Sequence, residues 1–209
     1  MSPEYPKKAP FKKFSLSEDD WGVQLRPIRL LDVQANTQEY AHMLARLEVN
    51  WKRARTEARL LENKSMSMRI LNAETANPTA TAIVTFEGPP QSPYRTGIFQ
   101  LRVLYGPNYP RMPMEVNFLT KIYHPNVDHT GKVCLDLLGK YWVPAWSTEK
   151  VVLCIMALLS DPCPEDALVP EIVSTYLQDR ELYGQNAAMY TEKYATLDAA
   201  LGRMSMACE

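Results

Sequence analysis

Cysteine and histidine are scarce in this sequence, which contains four cysteines and three histidines among 209 residues. No two cysteines form a Cys-x-x-Cys pair, whereas a structural zinc site needs about four ligands grouped in close pairs. Disulfide frameworks are typical of small secreted chains, and we expect no signal peptide because the N-terminal residues lack an apolar stretch. We therefore expect free thiols and no metal site.

Long apolar runs and an excess of either charge are also missing. No run approaches the roughly 20 residues that span a bilayer. The 23 basic and 24 acidic residues give a formal net charge of −1, which attracts neither nucleic acid nor an anionic membrane. We expect a soluble protein of the cytoplasm, the nucleus or both, with no nucleic acid or membrane partner.

Composition divides the chain into three parts. Residues 1–35 combine clustered lysines with prolines and a following acidic run. This pattern predicts a flexible extension, with a weak nuclear-localisation or partner-docking signal as the alternative. Residues 36–200 have the pattern of a single domain, and residues 201–209 form a C-terminal tail.

The domain begins with a helical pattern and continues with strands. Residues 37–64 contain neither proline nor glycine, and their apolar stripe predicts an amphipathic, core-facing helix. Short β-branched or aromatic segments follow, separated by turn formers; they are residues 66–71, 80–86, 97–103 and 114–118. Their short connections predict an antiparallel meander of four strands.

Helical patterns return after this meander. Ser147 or Thr148 can cap a nearly all-apolar helix that ends before Asp161-Pro162, which predicts a buried central helix. Two further helices are predicted near Val169–Gln178 and Asp179–Ala200. The fold class is therefore α+β: an N-terminal helix, a four-stranded antiparallel meander, an irregular segment, a central buried helix and C-terminal helices.

Cys134 is the best candidate for a reactive thiol. The turn formers Thr130 and Gly131 precede it and Asp136 follows it, so it lies in a short extended piece beside a loop. The other cysteines are less suitable, because one lies in the apolar helix, one in an exposed loop and one in the tail; they are Cys154, Cys163 and Cys208.

A cysteine hydrolase would also need a histidine base held by a third group. His124 and His129 are the local histidines, and no orienting group accompanies either. We expect His124 to hydrogen-bond the backbone of a tight turn and His129 to lie in an exposed loop. These residues argue against hydrolase chemistry.

Several motifs together, from about Trp51 to Tyr194, resemble the catalytic core of the ubiquitin-conjugating enzymes. In chain order they are Ser92-Pro93-Tyr94, Gly97-Ile98-Phe99, Tyr109-Pro110, Ile122-Tyr123-His124-Pro125-Asn126, Gly131, Cys134-Leu135-Asp136, Trp142-Val143-Pro144-Ala145 and Asp161-Pro162 through Leu168-Val169-Pro170-Glu171. The resemblance implies that an activating enzyme passes ubiquitin to Cys134 as a thioester. A substrate lysine or a RING-type or HECT-type ligase then receives it. No cofactor is implied.

The resemblance also implies roles for residues around the thiol. Asn126 would stabilise the oxyanion as lysine attacks, or would shape the loop; the sequence leaves both roles open. Asp166, or its neighbour Glu165, would orient and deprotonate the lysine, whose ordinary pKa is about 10.4. The residues expected to support or line the groove are His124, Tyr123, Asp136 and Leu168.

Ligase docking is implied for two loops, with departures from the family pattern. Pro144 and Ala145 match the second docking loop, whereas Arg111 stands where an apolar residue is frequent. Two alternatives stay open: conjugation of a ubiquitin-like modifier, and a non-catalytic variant of the fold that binds ubiquitin or a partner. Cys134 and Asn126 argue against the second alternative, and Cys134-Leu135-Asp136 favours ubiquitin over its relatives.

Overall fold

The computed structural model describes residues 66–71 and 80–206. The predicted N-terminal extension and the predicted first helix lie outside the described residues, so both stay predictions. The boundaries proposed at residues 36 and 200 stay predictions as well. Within the described residues, no helix is long and apolar enough to cross a membrane.

The strands form one four-stranded antiparallel sheet, as the sequence predicts. The strands are β1 (Met66–Ile70), β2 (Ala80–Glu87), β3 (Ile98–Tyr105) and β4 (Glu115–Phe118), and they are ordered β1-β2-β3-β4. Neighbours in the chain are neighbours in the sheet because their connections are short. The predicted meander and the α+β class are confirmed.

Strand alternation places the core on one face of the sheet. In β3, Phe99, Leu101 and Val103 are fully buried and belong to the main core cluster. Helix α1 (Thr148–Ser160) contributes its buried side to the same cluster. The sequence suggests burial nearly all round this helix, yet Leu153 is 47% exposed, so one side of the helix faces the solvent.

The remaining helices are α2 (Pro170–Gln178), α3 (Arg180–Tyr194) and α4 (Leu197–Met206), and short 3-10 turns span Asp136–Leu138 and Pro164–Asp166. The prediction of one helix over 179–200 is wrong. The helix is interrupted at Ala195, whose carbonyl accepts a hydrogen bond from the Ile98 amide at 2.8 Å. Thr196 then caps the new helix through the Ala199 amide.

Helix α4 packs against the opposite face of the sheet. Gln100 is fully buried, and alternation along β3 points its side chain away from the main core. Its Nε2 donates to the Ala200 carbonyl at 3.1 Å, and its Oε1 accepts from Arg203 Nε at 2.7 Å. Arg203 also donates to Thr120 Oγ1 at 3.1 Å. A polar cluster of Gln100, Thr120 and Arg203 therefore fastens the C-terminal helix to the sheet.

Candidate active site

The turn before the candidate thiol is fixed by His124, which is fully buried. Its Nδ1 accepts a hydrogen bond from the Asn126 amide at 3.1 Å, and its Nε2 donates to the Leu158 carbonyl of α1 at 3.0 Å. Burial lowers the pKa of His124 to about 4. The imidazole is therefore neutral near pH 7. It bonds the backbone of the turn, as the sequence suggests, and it also joins the turn to α1, which the sequence did not predict.

Asn126 is also fully buried, and its side chain points towards the loop at residues 163–166. Nδ2 donates to the Cys163 carbonyl at 2.6 Å and to the Asp166 carbonyl at 3.0 Å. Oδ1 accepts from the Cys163 amide at 3.0 Å. Both amide hydrogens and the amide oxygen are therefore engaged. Of the two roles that the sequence leaves open, these contacts correspond to shaping the loop.

Cys134 lies directly beside this turn. Its backbone amide donates to the Asn126 carbonyl at 3.0 Å, and the preceding Val133 forms a bridge with Val127. The Cys134 thiol is partly buried and free. The residue lines a groove of about 730 Å³ whose walls also include Leu135, Asp136 and Leu168. A partly exposed thiol in such a groove is accessible to an incoming acyl group.

The surroundings of Cys134 disfavour its thiolate form. The pKa of the Cys134 thiol is raised above its ordinary value, first by burial and then by the negative charges of Asp166 and Asp136. The positive charge of Lys132 partly opposes this effect. Two carboxylates therefore act on the sulfur, and they also make this end of the groove attractive to a cationic side chain.

The loop that carries Asp166 is held against the turn. The Leu168 and Val169 amides donate to the Pro125 carbonyl at 2.8 and 3.1 Å, in addition to the contacts of Asn126. Glu165 and Asp166 are exposed. The structure thus brings together Asn126, Cys134, Asp136, Asp166 and Leu168, which come from three separate parts of the chain.

Tyr123, expected either to support or to line the groove, lies behind the turn. Its side chain is buried, and its ring packs against Tyr183 at 5.8 Å and Tyr190 at 5.5 Å between ring centroids. Its carbonyl accepts a hydrogen bond from the Tyr94 hydroxyl at 2.6 Å. Because aromatic neighbours on α3 enclose the ring, Tyr123 supports the turn from behind and does not line the groove.

The residues expected at a ligase surface lie on two neighbouring loops. Arg111, Pro144 and Ala145 are exposed, together with Met112 at 59% and Val143 at 48%. The two loops are joined by Trp142, whose Nε1 donates to the Pro110 carbonyl at 2.9 Å. The structure therefore presents these residues as one exposed, largely apolar surface.

Sequence reasoning missed the position of Cys163, which it treated only as a loop cysteine. The Sγ atom of Cys163 lies 3.5 Å from Asp166 Oδ2. Its spacing of three residues from Asp166, within a proline-flanked segment, was the available signal, because a single helical turn brings such residues together. Among the residues that the structure describes, no cluster of His, Cys, Asp and Glu could hold a metal ion.

Known proteins resemble this chain in sequence and in fold. The family model described as "Ubiquitin-conjugating enzyme" matches residues 53–191. The fold is similar to the E2 domain of a Toxoplasma gondii ubiquitin conjugating enzyme, with 30% identity and a TM-score of 0.64 over 70% of this chain and 99% of that chain. A Plasmodium yoelii protein described as a ubiquitin conjugating enzyme is 31% identical, with a TM-score of 0.63 over 70% of this chain and 95% of that chain.

Proposed function

This chain belongs to the ubiquitin-conjugating enzyme family, and on that premise we propose that Cys134 carries ubiquitin as a thioester. The activating enzyme supplies ubiquitin, and a substrate lysine or a ligase cysteine receives it. The observation that carries this proposal is the position of Cys134, which lines a groove and whose backbone amide donates to Asn126, beside the loop that carries Asp166. Charging needs no base of its own, because the incoming bond is already an activated thioester.

Charging is an exchange between two sulfur atoms. The Cys134 thiolate attacks the carbonyl carbon of the activating enzyme's thioester, a new C–S bond forms, and the activating enzyme's cysteine leaves as a thiolate. The proton lost by Cys134 balances the one that the leaving thiolate takes up. Because burial and nearby carboxylates raise the pKa of the Cys134 thiol, the reactive fraction is small near neutrality and increases with pH.

Transfer to lysine requires an unprotonated amine near the thioester. The amine forms a C–N bond to the thioester carbonyl carbon, the C–S bond breaks so that Cys134 leaves as a thiolate with the electron pair, and the protonated amide nitrogen loses a proton. We assign to Asp166 the role of accepting a hydrogen bond from this amine and taking up its proton, because its loop is bonded to Asn126 directly beside Cys134. Asn126 supports the step by holding the 163–166 loop in place.

Ligases are proposed to dock on the surface formed by Arg111, Met112, Val143, Pro144 and Ala145. The exposed apolar side chains of this surface suit a protein partner, and Arg111 suits a partner with an acidic residue at the same place. This surface belongs to the loops that follow β3 and Cys134, so a docked ligase would lie near the groove. Whether that ligase is of the RING or the HECT type is decided by which of them accelerates discharge.

A charging assay tests the proposed relay. The protein is incubated with activating enzyme, ATP and ubiquitin, and products are resolved with and without reductant. We expect an adduct one ubiquitin larger that disappears with reductant, is absent in Cys134→Ala and is retained in Cys154→Ala. Parallel reactions use ubiquitin-like modifiers with their own activating enzymes. If an adduct forms only with one of these modifiers, that modifier and not ubiquitin is the one that the protein carries. If no modifier gives an adduct, the relay is refuted.

A further inference from the structure

The thiol of Cys163 lies next to the carboxylate proposed to receive the lysine proton. Cys163 is the residue immediately before the 3-10 turn Pro164–Asp166, and its Sγ is 3.5 Å from Asp166 Oδ2. Cys163 and Asp166 are three positions apart, so the turn itself brings them together. The distance fits a hydrogen bond from a thiol to a carboxylate, because sulfur is a large, weak donor.

The backbone of this turn explains why the thiol is the available donor. In a capping box, a carboxylate at the third helical position bonds back to the backbone N–H of the residue before the helix. Here that N–H belongs to Cys163, and it donates to Asn126 Oδ1 at 3.0 Å. The Asp166 carboxylate therefore lacks its usual backbone donor, and the Cys163 side chain takes that place.

Cys163 and Asp166 are linked to the candidate carrier through Asn126. Asp166 and Cys163 both influence the titration of the Cys134 thiol, and Asn126 bonds the backbones of both Cys134 and Cys163. An exposed aspartate otherwise samples several side-chain rotamers, each of which presents its oxygens differently. A fixed donor on one carboxylate oxygen restricts this freedom and leaves the other oxygen for an incoming amine.

From these contacts we propose that Cys163 is a positioning residue that orients the Asp166 carboxylate towards the thioester for attack by lysine. The inference rests on the proposed relay and adds to it a distinction between amine acceptors and thiol acceptors. A lysine amine must lose a proton during attack and needs the oriented carboxylate. A thiol acceptor attacks as a thiolate and does not need it. Cys163 therefore acts on transfer to amines and not on transfer to thiols.

Single-turnover discharge tests this proposal. The preformed thioester is chased with free lysine over a range of concentrations and, separately, with a small thiol. In Cys163→Ala we expect the saturating rate with lysine to fall about three- to tenfold, the range for one modest hydrogen bond. Discharge to the thiol should be unchanged. Cys163→Ser keeps a donor and should stay within about twofold of the unsubstituted protein.

A double-mutant cycle shows whether the effect passes through Asp166. Asp166→Asn alone should slow transfer to lysine, and adding Cys163→Ala to it should produce no further loss. Cys154→Ala is the matched control, because that cysteine packs against the core in α1, and it should match the unsubstituted protein. Thermal unfolding of each variant establishes that it is folded before its rates are compared.

The possible failures are distinguishable. If the unsubstituted protein charges but Cys163→Ala discharges to lysine at the normal rate, the positioning role is refuted and the relay stands. The same conclusion follows if Cys163→Ser discharges to lysine as slowly as Cys163→Ala, or if Cys163→Ala slows discharge to the thiol as much as discharge to lysine. It also follows if the rate losses of Cys163→Ala and Asp166→Asn multiply in the double variant. If the unsubstituted protein does not charge with any modifier, both the relay and the positioning role fail.

Discussion

At the scale of single residues, the site depends on which groups the Asn126 side chain bonds. The sequence places an asparagine eight residues before the thiol, and the resemblance offers it two roles. Its partners at positions 163 and 166 are far away in the chain, so no local pattern could identify them. The buried amide ties two loops together, whereas an oxyanion donor would need a free N–H in the groove.

Replacing this asparagine should therefore affect stability first. Asn126→Ala leaves the Cys163 amide and the carbonyls of Cys163 and Asp166 without their partners, which should lower the free energy of unfolding by about 1–3 kcal/mol. Denaturant unfolding monitored by tryptophan fluorescence measures this change. Asn126→Asp is the matched variant: it keeps an acceptor for the Cys163 amide but sets an oxygen against two carbonyls, so it should also destabilise.

An unchanged unfolding free energy in Asn126→Ala, combined with slow discharge to lysine, would contradict the bracing role. That result would instead favour the oxyanion role that the sequence left open.

The electrostatic influence of Asp166 on the thiol is testable without any partner enzyme. Because the negative charge of Asp166 raises the pKa of Cys134, Asp166→Asn should lower that pKa. The thiolate fraction at neutral pH then increases, so the pH profile of alkylation by iodoacetamide should move to lower pH. Mass spectrometry of the Cys134 peptide separates this thiol from the other cysteines.

Glu165→Gln is the control for this experiment, since it removes the neighbouring exposed carboxylate. Glu165→Gln should shift the pH profile of Cys134 alkylation less than Asp166→Asn does. Equal profiles for Asp166→Asn and the unsubstituted protein would show that Asp166 lies too far from the sulfur to act in transfer.

At the scale of secondary-structure elements, the strands were predictable and the end of α3 was not. Alternating apolar residues and proline- or glycine-rich turns mark each strand in the sequence. The segment at Ala195-Thr196 contains neither proline nor glycine, so its pattern reads as continuous helix. A tertiary contact, the bond from the Ile98 amide to the Ala195 carbonyl, coincides with the break and has no local signal. Thr196, which caps α4, is the one residue here whose type marks a helix start.

Helix α4 should depend on Arg203 for its attachment to the sheet. Arg203→Ala removes the donors to Gln100 Oε1 and Thr120 Oγ1 and leaves the fully buried Gln100 without that partner. We expect a loss of about 1–3 kcal/mol in the free energy of unfolding. Leu201→Ala on the exposed side of the same helix should change it by less than about 0.5 kcal/mol. Equal effects of the two substitutions would contradict the anchoring role.

At the scale of the whole molecule, the fold gathers three separate parts of the chain at one groove. The turn at residues 124–126, the extended piece that carries Cys134 and the loop at residues 163–168 meet through backbone and amide hydrogen bonds. The motifs predicted these segments individually. They could not predict that Tyr123 faces α3, because that direction follows from packing between elements.

The proposed ligase surface meets the groove at Met112 but not at Ala145, so a substitution at Ala145 should separate ligase docking from charging. Ala145→Asp places a charge in the exposed surface beside Pro144, which should reduce ligase-stimulated discharge by about tenfold or more because an unpaired charge is costly to bury at an interface. Charging, and discharge without ligase, should be unchanged. Leu177→Asp on the exposed side of α2 is the control and should keep the ligase response. If both variants respond alike, ligases dock elsewhere.

The most direct test of the central claim is the mass of the protein after charging. Intact mass spectrometry should find that the unsubstituted protein gains the mass of one modifier and that reductant removes this added mass. Cys134→Ser should gain the same mass as an ester that resists reductant, and Cys134→Ala should gain nothing. A reductant-sensitive adduct that persists in Cys134→Ala would place the carrier on another cysteine and contradict the account.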